Sequence, residues 1–375
     1  MFTSLRRIHT RRAGLGAASA IAVVVLAACG GGGYGGGGYM PPMTPPPVVA
    51  PAATMFAVTN LVTDTATSAA HTDAKLVNAW GLAFNPSAYA WVANNGTDSS
   101  TLYDGNGVPQ SLIVATPPSP TGIVFNGSSD FKVSQNGVTA ASPFIFSSES
   151  GMIAAWSPSV NRNSAITVVD ASGAQAVYKG LAIAAYNGVN YIYATDFHNG
   201  RVDVYDGNFA KATLPGSFQD SSLPAGYAPF GIQAIGDRIY VSYAQRQSGG
   251  NDDVKGAGLG AVNVFDTAGN LVMKLVRGGA LNAPWGMVMA PANFGTYSGK
   301  LLVGNFGDGK INAYDPTTGA MTGTLSKADG STIVIDGLWG IAFGPGVNSQ
   351  PTNTLFFTAG PADEAHGLYG RIDMQ

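Results

Sequence analysis

Short apolar segments alternate with polar, glycine-rich turns along most of the chain, and six of the apolar segments begin alike. In each, a glycine follows an aromatic residue, a threonine or a lysine and precedes Leu, Ile or Met. A spacing of roughly 40 to 60 residues between such openings is typical of the blades of a β-propeller. The six openings are Trp80-Gly81-Leu82, Thr121-Gly122-Ile123, Lys179-Gly180-Leu181, Phe230-Gly231-Ile232, Trp285-Gly286-Met287 and Trp339-Gly340-Ile341.

One repeat shows the expected order of four strands within a blade. Residues 284–289, 300–305, 310–314 and 320–325 are rich in strand-forming side chains, and turn residues separate them. Between the second and third strands, Asp308 and the neighbouring glycines suit a tight hairpin because they tolerate positive φ. Patterns with a helical period are scarce, so the sequence predicts an all-β, six-bladed β-propeller.

The last repeat lacks one strand, and an extra strand precedes the first repeat. After the opening at Trp339, only 354–358 and 368–373 have strand character, whereas 56–62 belongs to no repeat. Pairing of 56–62 with the last blade removes the exposed edge that an open array leaves. We therefore expect one propeller domain over residues 55–375, closed by its N-terminal strand.

Two sets of side chains are predicted to meet on one face of the ring. In a four-stranded antiparallel blade, the first strand begins on the face that carries the hairpin between strands two and three. Aromatic, amide, carboxylate and imidazole groups in one mouth are typical of a ligand or metal site. The openings contribute Trp80, Phe230, Trp285 and Trp339, and the hairpins contribute Asn94, Asn95, Glu149, Asp196, His198, Asn199, Asn305, Asp308, Asp363, Glu364 and His366.

A purely structural interpretation of these residues stays open. A tryptophan before glycine can serve as a plug between blades, and Asn and Asp are common turn formers. Glu149, Glu364 and His366 are harder to explain as turn residues, because turns need neither Glu nor His. Ligand-binding candidates are Trp80, Asn94, Asn95, Phe230, Trp285, Asn305, Asp308 and Trp339, and catalytic candidates are His198, Glu364 and His366.

A metal ion is a possible cofactor of this mouth. No histidine lies in a zinc-binding spacing such as HExxH, but oxygen ligands from several blades suit calcium. The metal candidates are Glu149, Asp196, Asn305 and Glu364. The long polar insertion 245–260 belongs to the same face, where it is either a lid that brings Asp252 and Asp253 to a cation or a mobile surface loop.

The N-terminal residues predict export and a lipid anchor. Basic residues precede an apolar run that ends in Leu26-Ala27-Ala28-Cys29-Gly30, which looks like the lipobox of bacterial lipoproteins. We expect a signal peptide over 1–28, acylation of Cys29, the only cysteine, and a Gly/Pro-rich tether over 29–54. Gly30, rather than aspartate, after the cysteine favours the outer membrane, with the domain in the periplasm or at the cell surface.

Charge narrows the choice of partners. Removal of Arg6, Arg7, Arg11 and Arg12 with the signal peptide takes the net charge from −3 to −7. Such an acidic chain is poorly suited to nucleic acid or to anionic lipid, so the lipid anchor is the expected membrane contact. A protein or a carbohydrate is the expected ligand.

The chain resembles an uncharacterised bacterial β-propeller family, some members of which carry PEP-CTERM sorting signals. Among the segments that carry the resemblance are 76–81, 120–126, 281–286, 302–309, 336–340 and 366–370. The resemblance implies a secreted propeller and no established activity. At the level of fold, the blades also look like those of NHL-repeat and gluconolactonase-type propellers, whose enzymes hold a divalent metal at the mouth.

Two hypotheses of function follow. The first is a lipid-anchored binding or scaffold module that recognises a protein or carbohydrate on the face of the Trp-Gly openings. The second is a calcium-dependent hydrolase or lactonase of the gluconolactonase type, in which His198 or His366 moves protons. No nucleophile elbow or Ser-His-Asp context is present in the sequence to favour a serine hydrolase.

Overall fold

Six small antiparallel sheets form a closed ring in the computed structural model, which describes residues 54–66 and 69–375. The innermost strands contact one another in sequence order, and the innermost strand of the sixth blade contacts that of the first. This confirms the prediction of a six-bladed β-propeller. The predicted signal peptide, Cys29 and nearly all of the tether lie outside the described residues.

The first three blades are formed by residues 79–206, after two strands at the start of the described chain. Strands β1 (Phe56–Thr63) and β2 (His71–Thr72) come first. Blade 1 has β3 (Ala79–Phe84), β4 (Ala90–Asn94), β5 (Ser99–Tyr103) and β6 (Val114–Ala115). Blade 2 has β7 (Pro120–Phe125), β10 (Phe144–Ser148), β11 (Met152–Trp156) and β12 (Ile166–Asp170). Between β7 and β10, the strands β8 (Lys132–Gln135) and β9 (Val138–Ala141) form a separate two-stranded hairpin. Blade 3 has β13 (Tyr178–Tyr186), β14 (Val189–Asp196) and β15 (Arg201–Asp206).

The last three blades follow the same order. Blade 4 has β16 (Tyr227–Ile235), β17 (Arg238–Gln245), β18 (Ala261–Asp266) and β19 (Leu271–Arg277). Blade 5 has β20 (Pro284–Met289), β21 (Leu301–Asn305), β22 (Ile311–Tyr314) and β23 (Met321–Thr324). Blade 6 has β24 (Leu338–Phe343), β25 (Leu355–Ala359) and β26 (Leu368–Met374).

Strand β1 closes the ring as predicted. It pairs antiparallel with β26, from Phe56 opposite Met374 to Thr63 opposite Leu368, and so supplies the fourth strand of blade 6. Helical structure in the described residues is limited to three short 3-10 turns, Asn95–Thr97, Ser172–Ala174 and Gly295–Tyr297. Within that part of the chain, no helix has the length and apolar character needed to cross a membrane.

The glycine of each opening lets neighbouring blades pack closely around the axis. A Cβ added at Gly340 would lie 2.9 Å from the Trp80 carbonyl oxygen of blade 1, and one at Gly180 would lie 3.0 Å from that of Phe230 in blade 4. Contacts this short leave no room for a side chain. The repeated glycine is therefore a consequence of the close approach between the first strands of adjacent blades.

Hydroxyl groups on the second strands join the same backbones. Thr195 donates a hydrogen bond to the Phe230 carbonyl at 2.7 Å, and Ser242 donates to that of Pro284 at 2.6 Å. Thr358 donates to the Trp80 carbonyl at 2.5 Å and thereby links the last blade to the first. These bonds satisfy carbonyls at the buried start of each neighbouring blade, where water has no access.

The ring has two faces that differ in what they carry. We call the face where the innermost strands begin the mouth face. On the opposite face the axis opens into a cavity of about 270 Å³, lined by residues of all six innermost strands. Thr54, near the start of the described chain, hydrogen-bonds Thr296 in the loop between β20 and β21, so the chain reaches the domain at this opposite face.

Candidate functional site

Aromatic side chains fill the axis just below the mouth face. Trp339 lies between two rings, with centroids 3.7 Å from Trp80 and 3.8 Å from Phe306, and it is nearly parallel to both. Stacking of this kind adds to the burial of large apolar area. We call the set the aromatic plug, and its members are Trp80, Phe197, Phe230, Trp285, Phe306 and Trp339.

The plug contains all four predicted aromatic candidates, but most of them are not exposed. Trp80, Phe230 and Trp339 are buried, whereas Trp285 is half-buried and also lines a small cavity on the axis. The Trp285 indole reaches from blade 5 to blade 3 and donates to the Lys179 carbonyl at 2.9 Å. The arrangement matches the plug interpretation of the openings, and of the four only Trp285 presents a substantial free surface.

A buried lysine lies on top of the plug. Lys179, whose side chain is only 3% exposed, forms an ion pair with Glu149 and places its ammonium 5.2 Å from the centroid of Trp80. Phe197 lies on another side of the ammonium, 5.9 Å away. The aromatic faces and the carboxylate both attract the ammonium and hold it in place.

Two asparagines connect this ion pair to a second acid. Asn95 donates to Glu149 Oε2 at 2.9 Å, and Asn78 donates to Asn95 Oδ1 at 3.2 Å and to Glu364 Oε2 at 2.6 Å. Asn78 also accepts from Trp339 Nε1 at 3.1 Å, which ties the polar network to the plug. We call the group the charged cluster, and its members are Asn78, Asn95, Glu149, Lys179, Asp253 and Glu364.

Glu364 reaches the cluster from a strained turn. Ala362, Asp363 and Glu364 have φ values of 58°, 50° and 66°, so three consecutive residues with side chains are left-handed. Each such residue costs roughly 1 kcal/mol relative to an ordinary conformation. Strain of this kind is concentrated at functional sites, because ordinary turns avoid it with glycine or asparagine.

The insertion in blade 4 crosses the mouth. We call residues 245–260 the covering segment. Its Asn251 hydrogen-bonds His198 of blade 3 at 2.7 Å, and the ammonium of its Lys255 lies 4.5 Å from the Phe306 centroid of blade 5 and 3.6 Å from Asp363 of blade 6. The segment therefore contacts three blades besides its own and lies over the charged cluster, as a lid would.

Burial raises the pKa of two carboxyl groups in the cluster. The pKa of Asp253 is raised to about 6 by loss of solvent, although Lys179 and Lys255 act in the opposite direction. The pKa of Glu364 is raised mainly by burial and further by Glu149, while its hydrogen bond from Asn78 opposes the rise. Acids with raised pKa are frequent at binding and catalytic centres.

Several predicted site residues are occupied in stabilising their own hairpins. Asn94 is fully buried and donates to Thr101 at 3.0 Å. Asp196 accepts from the backbone of Val177 and from the side chain of Asn199. These contacts hold the hairpins of blades 1 and 3 in place, so the two side chains lie outside the charged cluster.

In blade 5, Asn305 is likewise fully buried and donates to the Ala280 carbonyl at 2.8 Å and to Asp308 at 3.0 Å. Asp308 in turn forms an ion pair with Lys310 at 3.1 Å. His366, in the loop between β25 and β26, contacts Asp64, the residue after β1, at 2.8 Å. The structure thus brings Asn95, Glu149 and Glu364 together, and His198 contacts the covering segment.

The predicted metal ligands do not converge as a set. Glu149 and Glu364 belong to the charged cluster, whereas Asp196 and Asn305 are engaged in separate hairpins. Across residues 54–66 and 69–375, no group of three or more His, Cys, Asp or Glu side chains is arranged to hold a metal ion. Glu149 is moreover paired with Lys179, which already neutralises its charge.

Sequence reasoning missed the central lysine and the asparagine beside it. Lys179 precedes the glycine of an opening, where the other repeats have tryptophan, phenylalanine or threonine. The available signal was that Lys179 is the one charged residue among the six residues that precede the opening glycines. Asn78 and Phe306 carried no comparable signal, because asparagine and phenylalanine are frequent in the turns and strands of this chain.

Comparison of the sequence with known proteins identifies viral relatives. No protein-family model matches the chain. Uncharacterized protein R648 of Acanthamoeba polyphaga mimivirus is 33% identical over 333 residues, which cover 86% of this chain and 81% of the relative. Uncharacterized protein L690 of the same virus is 32% identical over 333 residues, covering 86% of each chain. The resemblance to a bacterial family stays a prediction.

Solved structures share the propeller architecture at low similarity. Virginiamycin B lyase from Staphylococcus aureus is 11% identical with a TM-score of 0.48, over 85% of this chain and all of the lyase chain. A luciferin-regenerating enzyme is 13% identical with a TM-score of 0.48, over 80% of this chain and 92% of that one. Similarity at this level carries no inference about activity. The sequence relationship does define a family, and the chain belongs to the one that includes the mimivirus proteins R648 and L690.

Proposed function

We propose that this protein is a ligand-recognition module whose charged cluster, beneath the covering segment, binds a polar ligand. The observation that carries the proposal is the placement of Glu364. Its turn is left-handed over three residues, its side chain is half-buried, and burial raises its pKa. Ring closure needs none of these features, so selection for binding is the simplest physical reason for them.

The charges of the mouth favour ligands that donate hydrogen bonds. Carboxylates outnumber ammonium groups around the cluster, with Glu149, Asp252, Asp253, Asp363 and Glu364 against Lys179 and Lys255. Carboxylate and amide oxygens accept hydrogen bonds, and an excess of negative charge disfavours anions. A carbohydrate, whose hydroxyl groups donate, is therefore the first ligand class to test.

The experiment compares two neighbouring glycine substitutions. Glu364→Gly removes the left-handed strain and the partly buried carboxylate, so we expect the free energy of unfolding in urea to rise by about 1 kcal/mol or more. Asp363→Gly is the matched control, because Asp363 has the same sign of φ but a side chain that is 99% exposed. It should gain only the backbone contribution. A Glu364→Gly variant less stable than wild type would show a structural role and overturn the proposal.

Binding is measured on the same variants by calorimetric titration with glucose, galactose and N-acetylglucosamine. Wild type should bind at least one of these sugars in the micromolar to millimolar range, and Glu364→Gly should weaken that binding about tenfold, or by about 1.4 kcal/mol. An added control, Asn136→Gly, lies at an exposed left-handed position in the turn between β8 and β9, outside the mouth, and should leave the affinity unchanged. Equal affinity in Glu364→Gly and Asn136→Gly would place the sugar outside the charged cluster.

The metal-dependent hydrolase is a separate prediction with its own test. Three of its four proposed ligands, Glu149, Asp196 and Glu364, would have to leave hydrogen bonds that their oxygens accept. The side-chain oxygen of Asn305 is buried and has no hydrogen-bond partner among the described residues. Elemental analysis of the purified domain and melting curves with and without chelator examine it directly. A bound calcium ion would raise the melting temperature by mass action, and the chelator would abolish the rise.

We also propose export and lipid anchoring through Cys29. The described chain reaches the domain at Thr54, on the face opposite the mouth. An anchor N-terminal to that residue is therefore connected to the domain at the face opposite the mouth. Metabolic labelling with a palmitate analogue should mark the wild-type protein, and the Cys29→Ser variant should lose both the label and membrane association.

A further inference from the structure

Lys255 of the covering segment occupies a seat built from groups of two other blades. Its ammonium lies 4.5 Å from the centroid of Phe306 in blade 5 and 3.6 Å from the carboxylate of Asp363 in blade 6. Phe306 is only 4% exposed, whereas the Lys255 side chain is 46% exposed. The aromatic face of Phe306 is thus covered by the Lys255 side chain, which itself remains in contact with solvent.

The surroundings of this seat carry more negative charge than Lys255 neutralises. Glu364 lies close enough to Asp253 to raise the pKa of that carboxyl, and Asp252 lies close enough to Glu364 to raise the pKa of Glu364. Two other lysines lie on the mouth face. Lys179 is buried and paired with Glu149, and Lys310 is paired with Asp308 of its own hairpin. Lys255 is therefore the lysine that a ligand at this seat has to displace.

One buried carboxylate oxygen near Lys255 has no hydrogen-bond partner among the described residues. It is Oδ2 of Asp253, a residue that is 9% exposed and close enough to Lys255 to feel its charge. Buried polar atoms are normally paired, and an unpaired acceptor of this kind costs about 1–3 kcal/mol. An acceptor left unpaired beside an ammonium seat points to a ligand that brings its own donors.

We propose that the seat formed by Phe306 and Asp363, with Asp253 beside it, recognises a primary alkylammonium group, and that Lys255 is its intramolecular stand-in. The inference rests on the proposed function and names the head group that the same mouth recognises. An ammonium fits because an aromatic face and surrounding carboxylates both attract it and its N–H groups can reach free acceptors. A divalent ion fits less well, since the carboxylates of the mouth do not converge as metal ligands.

Exchange needs movement of one side chain rather than of the whole covering segment. The end of the segment is fixed to the loop before β20, where Gly256 donates to Asn282 Oδ1 at 2.6 Å and Gly258 donates to the Leu281 carbonyl at 2.9 Å. The lysine side chain itself is long and flexible, and its ion pair with the exposed Asp363 is weak. An external ammonium therefore competes with Lys255 for the seat.

The test is chemical complementation of a lysine deletion. In the Lys255→Ala variant, n-butylammonium should bind about tenfold more tightly than in wild type, because the internal competitor is gone. The neutral analogue n-butanol should bind neither protein measurably. Lys310→Ala is the matched control, since Lys310 is an exposed, ion-paired lysine of the same face at 43% exposure, and it should gain nothing. Adding Asp363→Asn to Lys255→Ala should weaken the amine again.

Two further arms distinguish the source of the ammonium. Glucosamine represents an amino sugar, and a short peptide with one lysine, compared with its methionine analogue, represents a protein side chain. Tighter binding of glucosamine would identify an amino sugar as the source of the ammonium, and tighter binding of the lysine peptide would identify a protein side chain. Either result supports recognition of an ammonium group at this seat. Equal binding of butanol and butylammonium, or an equal gain in Lys310→Ala, would overturn the inference. Glu364→Gly stability and sugar binding are measured independently, so the proposed function can survive that result.

Discussion

The openings of blades 6 and 3 have the same backbone and opposite side chains. In both, a glycine packs against the next blade, and a threonine of the second strand donates to that blade's carbonyl, Thr358 to Trp80 and Thr195 to Phe230. Yet blade 6 places the indole of Trp339 at the centre of the plug, whereas blade 3 places the ammonium of Lys179 on top of it.

This difference separates two kinds of constraint. Contacts between blades are made by backbone, glycine and hydroxyl groups, so the residue before the glycine is free to vary. Four repeats use that freedom for an aromatic ring, and one uses it for a charge. The glycines and hydroxyl groups that the openings share hold the blades together. The candidate site forms around Lys179, the opening residue that differs from the others.

The largest expected effect is at the aromatic opening. Trp339→Ala removes a side chain stacked between Trp80 and Phe306 and only 1% exposed, so we expect a loss of about 3–5 kcal/mol in the free energy of unfolding. Urea denaturation followed by tryptophan fluorescence and circular dichroism measures it. A loss below about 1 kcal/mol would mean that the plug is not part of the stabilising core.

At the charged opening, Lys179→Met should cost less, about 2 kcal/mol, because the partner Glu149 left behind is 25% exposed. The pKa of Glu364 and that of Asp253 should both rise, since Lys179 lowers them in the wild type. Carboxyl titration by NMR reports the shifts. The double variant Lys179→Met, Glu149→Gln removes the unpaired charge and should recover much of the stability.

The shared mode of contact predicts similar effects from the two hydroxyl groups. Thr195→Val leaves the Phe230 carbonyl without this donor and should cost about 1.5 kcal/mol. Thr358→Val leaves the Trp80 carbonyl without its donor and also the Gly340 N–H without its acceptor, so it should cost slightly more, about 2 kcal/mol. Urea unfolding of the two variants side by side provides the comparison. Costs that differ more than twofold would contradict the claim that blades 6 and 3 share one mode of contact.

The smallest effect concerns the acid of the covering segment and depends on pH. The folded pKa of Asp253 is raised to about 6, so its contribution to stability is complete below its unfolded pKa and disappears as pH rises through about 6. Between roughly pH 5 and pH 7 this amounts to about 1 kcal/mol. Melting curves of wild type and Asp253→Asn at a series of pH values measure this contribution. The wild type should lose that stability as the pH rises, and the variant should not.

The fold was predictable because its signals are local and repeated. Glycine after Trp339 or Phe230, turn residues in hairpins and alternating apolar strands each act within a few residues, and six repetitions made the count of blades firm. The closing strand followed from the missing partner of β26. The polar face was predicted too, since chain direction alone places openings and hairpins together.

The membership of the site was less predictable, because it depends on which side chains meet. Asp196 and Asn305 looked like ligands, but Asp196 accepts from Asn199 and the Asn305 amide donates to Asp308, each within its own hairpin. Lys179 looked like one strand opening among six and proved to be the centre of the charged cluster. Residue type at a turn does not show whether the side chain points back to its own turn or across the axis.

By itself, the sequence determined the ring: a glycine where two backbones approach, turn residues where the chain reverses, and a spare strand to close the last blade. The tertiary structure decided the mouth. Asn78 and Glu364 are separated by 286 positions and meet only because β1 and blade 6 close the ring. Loss of solvent at this place raises the pKa of Glu364, although the hydrogen bond from Asn78 opposes the rise. Such a loss of solvent arises only when distant parts of the chain come together.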